Sequence, residues 1–526
     1  MLQTSPPDTD TATIPDWVRH SLAAFAVVPI LTTVYQTLVL TDVTDDVIRT
    51  GLEAEHYSMI WSNLCWLVAS VYGIFAGVWM KPRFGGRLTL NIGLVLFALG
   101  NLLCGAAFDM PSQAAARVVE GIGKGLVLII CRSLLYQQFD KNVMVAIGFY
   151  GVCAYATRPS TPLITALVNN SLSWRWIYWV NVPLAVMGLL LTMWFIPSDR
   201  PKQPLRLRLD WVAVTMLVGT VVSFMFLFNW YRKWQGWSSN EFAATAILAT
   251  VLLVALVIWV AGGLTPDEHL RRMFRIRVYV GAWCVRMLLL VELGAVLGLM
   301  GKYLVQLRDF PRETAGWILA PASLTMAAAT LLTVCFHRRS LRHVWLFVGM
   351  VGSAASLWWM SSVDNFTSKE LIAVMIGCWG FFLGLFPPVF LTDEIESIDR
   401  RDALYASAIA IACVVAGLVA IPPMMSTTVS AWTDRALDSQ RLNIRENRPE
   451  VTEAQARVAD YFRERGVCGP ELSQQTGRVL GTFATVEAAA HGVSSGLRFV
   501  SLVVATIGLF VTPLLTIRPS GRAAGT

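Results

Sequence analysis

Seven ionisable side chains fall within long apolar stretches of this 526-residue chain: Arg117, Glu120, Lys124, Arg158, Arg286, Glu292 and Lys302. A charge at the centre of a bilayer costs about 2.5–3.5 kcal/mol even on a lenient insertion scale, so each must meet a partner or a wet cavity. Such groups can bind charged solutes or move protons. Arg117, Glu120 and Lys124 are spaced by three and four, which brings them to one side of a helix. They read either as a self-satisfying ladder or as a cavity-lining relay in which Glu120 takes a proton. Glu292 is the one carboxylate in the middle of an apolar stretch of the C-terminal half. It reads as a proton carrier, or as the static partner of Arg286, Arg158 or another cation. Arg286 and Glu292 are six residues apart, on different helix faces, so a direct intrahelical pair is poor. Arg158 precedes Pro159, which frees a carbonyl and kinks a helix, and so can turn the guanidinium inward. It reads as an anion-binding group or as the counter-ion of an acid. Lys302 lies near the end of its stretch and can snorkel. Five cations against two carboxylates favour an anionic or zwitterionic substrate. The candidate ligands are Arg158, Arg117, Lys124 and Arg286, and the candidate proton-coupling groups are Glu292 and Glu120.

The elements that must position these groups are membrane helices. Hydrophobic residues make up 55% of the chain and charged residues 15%, against about 25% charged in a soluble domain. That excludes a soluble enzyme, a nucleic-acid-binding module and a disordered protein. A span needs roughly 20 mostly apolar residues, and fourteen stretches qualify. The expected fold class is an all-α integral membrane protein. Its expected parts are a tail over 1–20, a six-helix bundle over 21–196, a linker with two further spans over 197–275, a second six-helix bundle over 276–517 and a tail over 518–526. Eight of the nine Cys sit in or beside apolar runs and Cys468 stands alone in a polar segment, so there is no disulfide framework.

Orientation follows from the positive-inside rule. With the N-terminus inside, 21 of the 42 basic residues fall on the cytoplasmic side and seven in the short external loops. Both termini are therefore expected in the cytoplasm. The first external loop is acidic, with Asp42, Asp45, Asp46, Glu53 and Glu55. The stretch from Met1 to Trp17 lacks the basic and apolar regions of a signal peptide. Residues 426–496 form the one sizeable extramembrane piece. They are expected to be a packed external loop, or else a docking surface for a periplasmic adaptor protein. Within them 452–465 has helical periodicity, with Ala454, Val458, Tyr461 and Phe462 on one side.

Two motifs mislead. Gly492-Val-Ser494-Ser-Gly496 matches a nucleophile elbow, but that elbow needs a strand before it and a helix after it. Gly121-Ile-Gly123-Lys-Gly125 imitates a phosphate loop inside an apolar stretch, where Gly121 and Gly125 read better as small-residue helix packing. All six His lie in loops or at span ends, which argues against an intramembrane metal centre. No cofactor is expected.

Several stretches together resemble the fourteen-span drug:proton antiporter branch of the major facilitator superfamily. Ser173-Trp-Arg-Trp-Ile-Tyr-Trp-Val-Asn-Val-Pro183 is similar to the family's entry into its sixth span, Leu96 to Gly105 to its third, and Ala116-Arg117-Val-Val-Glu-Gly121-Ile-Gly123 to its fourth-span motif. Asp210-Trp211 and Gln235-Gly-Trp-Ser238 resemble the extra central helix pair. The resemblance implies two six-helix bundles plus two inserted central helices, a substrate cavity between the bundles and alternating access. It implies a conformational loop at Gly77, Arg83, Gly85 and Arg87, with Lys81 or Pro82 where the family has Asp. The Gly-Pro motif of the fifth span reads here as Gly151 to Pro162, with most glycines gone, Arg158 at a proline position and Pro162 retained as a packing residue. Glu120 stands where the family usually has Gln, and the first-span Asp of many relatives is replaced near Tyr35-Gln36. The expected function is a proton-coupled exporter of small amphipathic molecules or drugs, not an enzyme. Its partners are the small-molecule substrate, protons and the lipid bilayer, without nucleic acid. The alternatives are an exporter of organic anions or metabolites with Arg158 as ligand, and a transport-inactive membrane sensor or scaffold.

Overall fold

The computed structural model describes residues 26–37, 47–139, 143–156, 173–197, 209–231, 233–234, 238–265, 272–273, 276–336, 341–364, 367–399, 402–445 and 449–516. Among these there is no strand; the regular structure is helical throughout. In hydrocarbon a helix satisfies its own backbone polar groups, and long runs of Leu, Val, Ile, Ala and Phe leave its surface compatible with lipid.

The N-terminal half comprises α1 (26–37), α2 (His56–Phe84), α3 (Gly86–Ala106), α4 (Met110–Gln138), α5 (Val143–Ala156) and α6 (Trp176–Phe195). The inserted pair is α7 (Trp211–Asn229) and α8 (Asn240–Ala261). In the C-terminal half α9 (Arg277–Ala295) continues through π-helical turns Val296–Met300 and Tyr303–Leu307. It is followed by α10 (Arg312–Cys335), α11 (Arg342–Met360), α12 (Lys369–Glu396), α13 (Ala403–Arg445), α14 (Pro449–Glu464) and α15 (Pro470–Thr516). Ten described helices are long and apolar enough to cross a membrane. α4 has the length, with 29 residues, but carries Arg117, Glu120 and Lys124 in its middle. The apolar parts of α5 and α13 that are described, Val143–Cys153 and Ala403–Gly417, are shorter.

Sequence-local signals set the ends. α4 opens with a reciprocal cap: Ser112 N donates to Asp109 Oδ1 at 2.8 Å while Asp109 N donates to Ser112 Oγ at 3.2 Å. These bonds hold the half-buried Asp109 carboxyl below the usual carboxylate range. Between α2 and α3 the chain turns at Gly85, whose φ of +86° suits a residue without Cβ. Asp210 caps α7 through the backbone N–H groups of Val212 and Ala213 and accepts from Trp259 Nε1 at 2.8 Å, which ties α7 to α8.

The two halves repeat one packing scheme. In the first, α2 packs on α4, α3 on α4 and α3 on α6; in the second, α10 packs on α12, α11 on α12 and α11 on α15. Small residues let the paired backbones approach. A Cβ on Gly125 would stand 2.2 Å from Ser70 O, and one on Gly384 2.4 Å from Met326 O. Between the halves the contacts are reciprocal, α2 against α13 and α5 against α10. α7 covers the α2–α13 seam, with Thr427 of α13 donating to Phe228 O at 3.0 Å. α8 exposes Ile247, Val251, Val254, Val257 and Ile258, an apolar surface suited to lipid.

One expectation is corrected. Residues 426–496 are not a packed loop. α13 runs 43 residues to Arg445 and α15 runs 47 residues from Pro470, with α14 between them. The 426–445 stretch contains neither Gly nor Pro, so nothing stops the helix. At 1.5 Å per residue it carries the helix about 30 Å further. The elbow-like Gly492–Gly496 lies mid-helix in α15, without the strand its chemistry needs.

Candidate functional site

The buried charges concentrate on α4 and on the helices facing it. Arg117, Lys124 and Arg132 are seven and eight residues apart. At 100° per residue they share an arc of about 80°, spread over roughly 22 Å of helix. All three are buried. Arg117 pairs with Glu120 at 2.8 Å, donates to Asn63 Oδ1 at 3.0 Å and lies 5.3 Å from the Trp66 ring centre. Its Nε is buried without a hydrogen-bond partner. Glu120 points to the α3 side, near Cys104 Sγ, where a Cβ on Gly100 would strike its backbone. Lys124 donates to Thr37 Oγ1 at 3.3 Å and lies 4.6 Å over Trp66. The Arg–Glu part of the expected ladder is thus present, while Lys124 reaches toward α1 and α2.

The charge count read from the sequence needs correcting. Arg132, counted there among the 21 basic residues of the cytoplasmic side, is only 3% exposed. Its Nε donates to Tyr136 Oη at 2.8 Å, and its guanidinium lies 5.3 and 5.4 Å from the Tyr136 and Tyr150 ring centres. The Tyr35 hydroxyl donates to that of Tyr150. Glu394, absent from the seven ionisable groups read from the sequence, is 1% exposed and accepts from both terminal nitrogens of Arg286, Nη1 at 3.0 Å. The signal that could have found both residues is helix length. α4 runs uninterrupted to Gln138, and after Phe386 the helix restarts at Pro387, whose fixed φ suits a first turn, and continues to Glu396. Arg286 is therefore one side of a buried fork-to-fork ion pair. The neighbouring Asp393 pairs with Arg342.

Glu292 is fully buried and meets neutral donors. Ser353 Oγ donates to Oε1 at 3.1 Å and Trp379 Nε1 to Oε2 at 3.1 Å. Both partners belong to the same half, on α11 and α12, and no cation pairs with Glu292 among the described residues. The static pair with Arg286 is excluded by the Arg286–Glu394 fork. The π-helical Val296–Met300 follows one turn later, a deviation frequent at functional sites.

At the turn between α2 and α3, Arg83 donates to Trp79 O at 2.7 Å and lies over its ring, and Arg87 donates to Met193 O at 2.7 Å on α6. Lys81, in or beside the family's Asp position, turns inward and donates to Ser133. A Cβ on Gly77 would meet Ile129 at 2.5 Å. Gly121 faces Trp66 O and Gly125 faces Ser70 O. Lys302 is exposed. Arg158 and Pro162 lie outside the described residues. No group of His, Cys, Asp and Glu that could hold a metal occurs among the described residues.

A family model described as Major Facilitator Superfamily matches residues 21–421. The chain is 24% identical over 328 residues to the multidrug export protein EmrB of Haemophilus influenzae, a match that covers 60% of this chain and 63% of that one. It is 21% identical over 326 residues to multidrug resistance protein 3 of Bacillus subtilis, covering 62% and 63%. The matched region thus spans less than two thirds of these relatives' length. Among solved structures, the crystal structure of the human organic anion transporter MFSD10 (TETRAN) is similar at a TM-score of 0.54 with 12% identity, over 96% of this chain and all of that one. That likeness concerns the fold.

Proposed function

We propose, from the premise that this chain belongs to the Major Facilitator Superfamily, that it is a secondary active exporter of small amphipathic molecules, driven by a proton gradient. The observation that carries the reading is the pair of reciprocal seams, α2 on α13 and α5 on α10, with buried charged side chains close to them. Two rigid halves joined in this way can rock about a central site and open it to either side in turn. The curated relatives named for multidrug export support the substrate class. Efflux of a dye and organic-ion panel from proteoliposomes, with and without an imposed pH gradient, tests it. Gradient-dependent movement of at least one compound is expected; no movement of any would overturn the reading.

Within it, Glu292 carries the coupling proton. A buried carboxyl held by a serine and an indole, with no paired cation among the described residues, can exist in both protonation states. Glu292→Gln mimics the protonated form and is expected to abolish gradient-driven transport while substrate exchange continues. A wild-type rate and pH profile in this variant would move the role to Glu120.

The protein sits in the bacterial inner membrane with fourteen spans and both termini in the cytoplasm. The turn at Gly85 is then cytoplasmic, and the α13–α15 extension is periplasmic, where it offers a surface to an adaptor protein. The basic-residue distribution supports this. Reporter fusions at residue 450 and at the C-terminus are expected to report opposite sides; the same side for both would overturn the topology.

A further inference from the structure

We propose that Arg132 binds the anionic group of the transported molecule, reached from the end of the protein that carries the Gly85 turn, and that the transported molecule is an aromatic organic anion. This rests on the exporter reading and deepens it.

The guanidinium cannot discharge by losing a proton. Here it is buried, its Nη2 has no hydrogen-bond partner, and Arg132 makes no ion pair among the described residues. Two phenol rings lie beside it, Tyr136 on its own helix and Tyr150 on α5. Tyr150 is in turn bonded by Tyr35 of α1. A carboxylate that acts on it comes from the other half of the molecule. α5 packs on the last part of α12, and Glu394 there acts electrostatically on Arg132. Both Glu394 oxygens are engaged by Arg286 of α9, so this one carboxylate is shared between two cations and compensates Arg132 only in part.

That arrangement has a direction built into it. When the halves part at this end, Glu394 leaves with the C-terminal half, because the fork to Arg286 holds it there. Arg132 then loses even this partial compensation and stands as a cation beside two aromatic faces. A planar aromatic carboxylate fits these groups: the carboxylate takes the unused guanidinium N–H, and its ring lies against tyrosine. When the halves close again, Glu394 returns and competes with the bound anion for Arg132, which favours departure toward the opposite end. Lys124 and Arg117 continue the same stripe of α4 in that direction.

The test uses the full chain in lipid nanodiscs at pH 6.5, with radiolabelled salicylate as the anion, salicylamide as its neutral analogue and ethidium as a cation. Arg132→Gln is expected to weaken salicylate binding about tenfold or more, the size of a lost hydrogen bond to a charged group. Salicylamide and ethidium binding should stay within about twofold, since neither uses that bond. Arg132→Lys keeps the charge without the planar fork and should show an intermediate loss; it serves alone if the Gln variant does not fold. Salicylate binding unchanged in both variants overturns the proposal, as does a wild-type protein that binds ethidium but not salicylate; the exporter reading survives either result. A wild-type protein that neither binds nor transports any of the three probes overturns both.

Discussion

Glu394→Gln is expected to destabilise the protein by about 3–5 kcal/mol, because removing one partner of a buried ion pair strands the other charge. The stranded group is Arg286, 1% exposed, with both terminal nitrogens committed to Glu394 and Phe390 packed nearby. Arg286→Met alone should cost a comparable amount by stranding the carboxylate. The double variant Arg286→Met, Glu394→Leu should recover most of the loss, since a buried pair replaced by apolar residues of similar volume is often neutral or stabilising. Unfolding in mixed micelles, followed by tryptophan fluorescence, measures all four proteins. If both single variants unfold at the wild-type midpoint, the pair does not hold the C-terminal bundle. The pair also ties α9 to the end of α12, so under the proposed alternating access Glu394 would follow the C-terminal half.

Gly125→Ala is expected to cost about 1–3 kcal/mol or more, the range for overpacking a dense interior. Its added Cβ would stand 2.2 Å from Ser70 O and 2.6 Å from Ile74 N. Both are backbone atoms of α2 and can move only if the helices separate. Gly121→Ala, facing Trp66 O at 2.6 Å and Ala69 Cβ at 2.9 Å, should behave alike. Such separation would also shift Trp66, against which Arg117 and Lys124 rest. Gly477 and Gly481, with nothing within 4 Å, provide the contrast. They lie in exposed parts of α15, where Ala should raise stability by up to about 1 kcal/mol through helix propensity. Melting curves and the monodisperse fraction in detergent distinguish these outcomes; unchanged melting of Gly125→Ala would disprove the tight α2–α4 contact.

Composition and pattern made much of the architecture legible. Helices must close their own hydrogen bonds in hydrocarbon, so apolar length and loop charge are strong signals. The helical character of 452–465 was likewise visible as a periodic apolar face. The ends of the helices were less legible. Hydropathy marks where the lipid stops, whereas a helix stops only where its capping chemistry does. α4, α12 and α13 all run past their apolar stretches for that reason, and α4 and α12 carry Arg132 and Glu394 into buried positions.

Composition and pattern fix the solvent, the secondary structure and the residue types that must find partners there. Spacing along a helix could bring Arg117 to Glu120, three residues away, because that pair is local. It could not bring Arg286 to Glu394, 108 residues distant, or set Glu292 between Ser353 and Trp379. Those choices depend on which helix faces meet, and small residues at 121, 125 and 384 set how closely the backbones of each half approach. A charge in a low-dielectric interior is governed by groups within a few ångströms, and only the tertiary structure decides which groups those are.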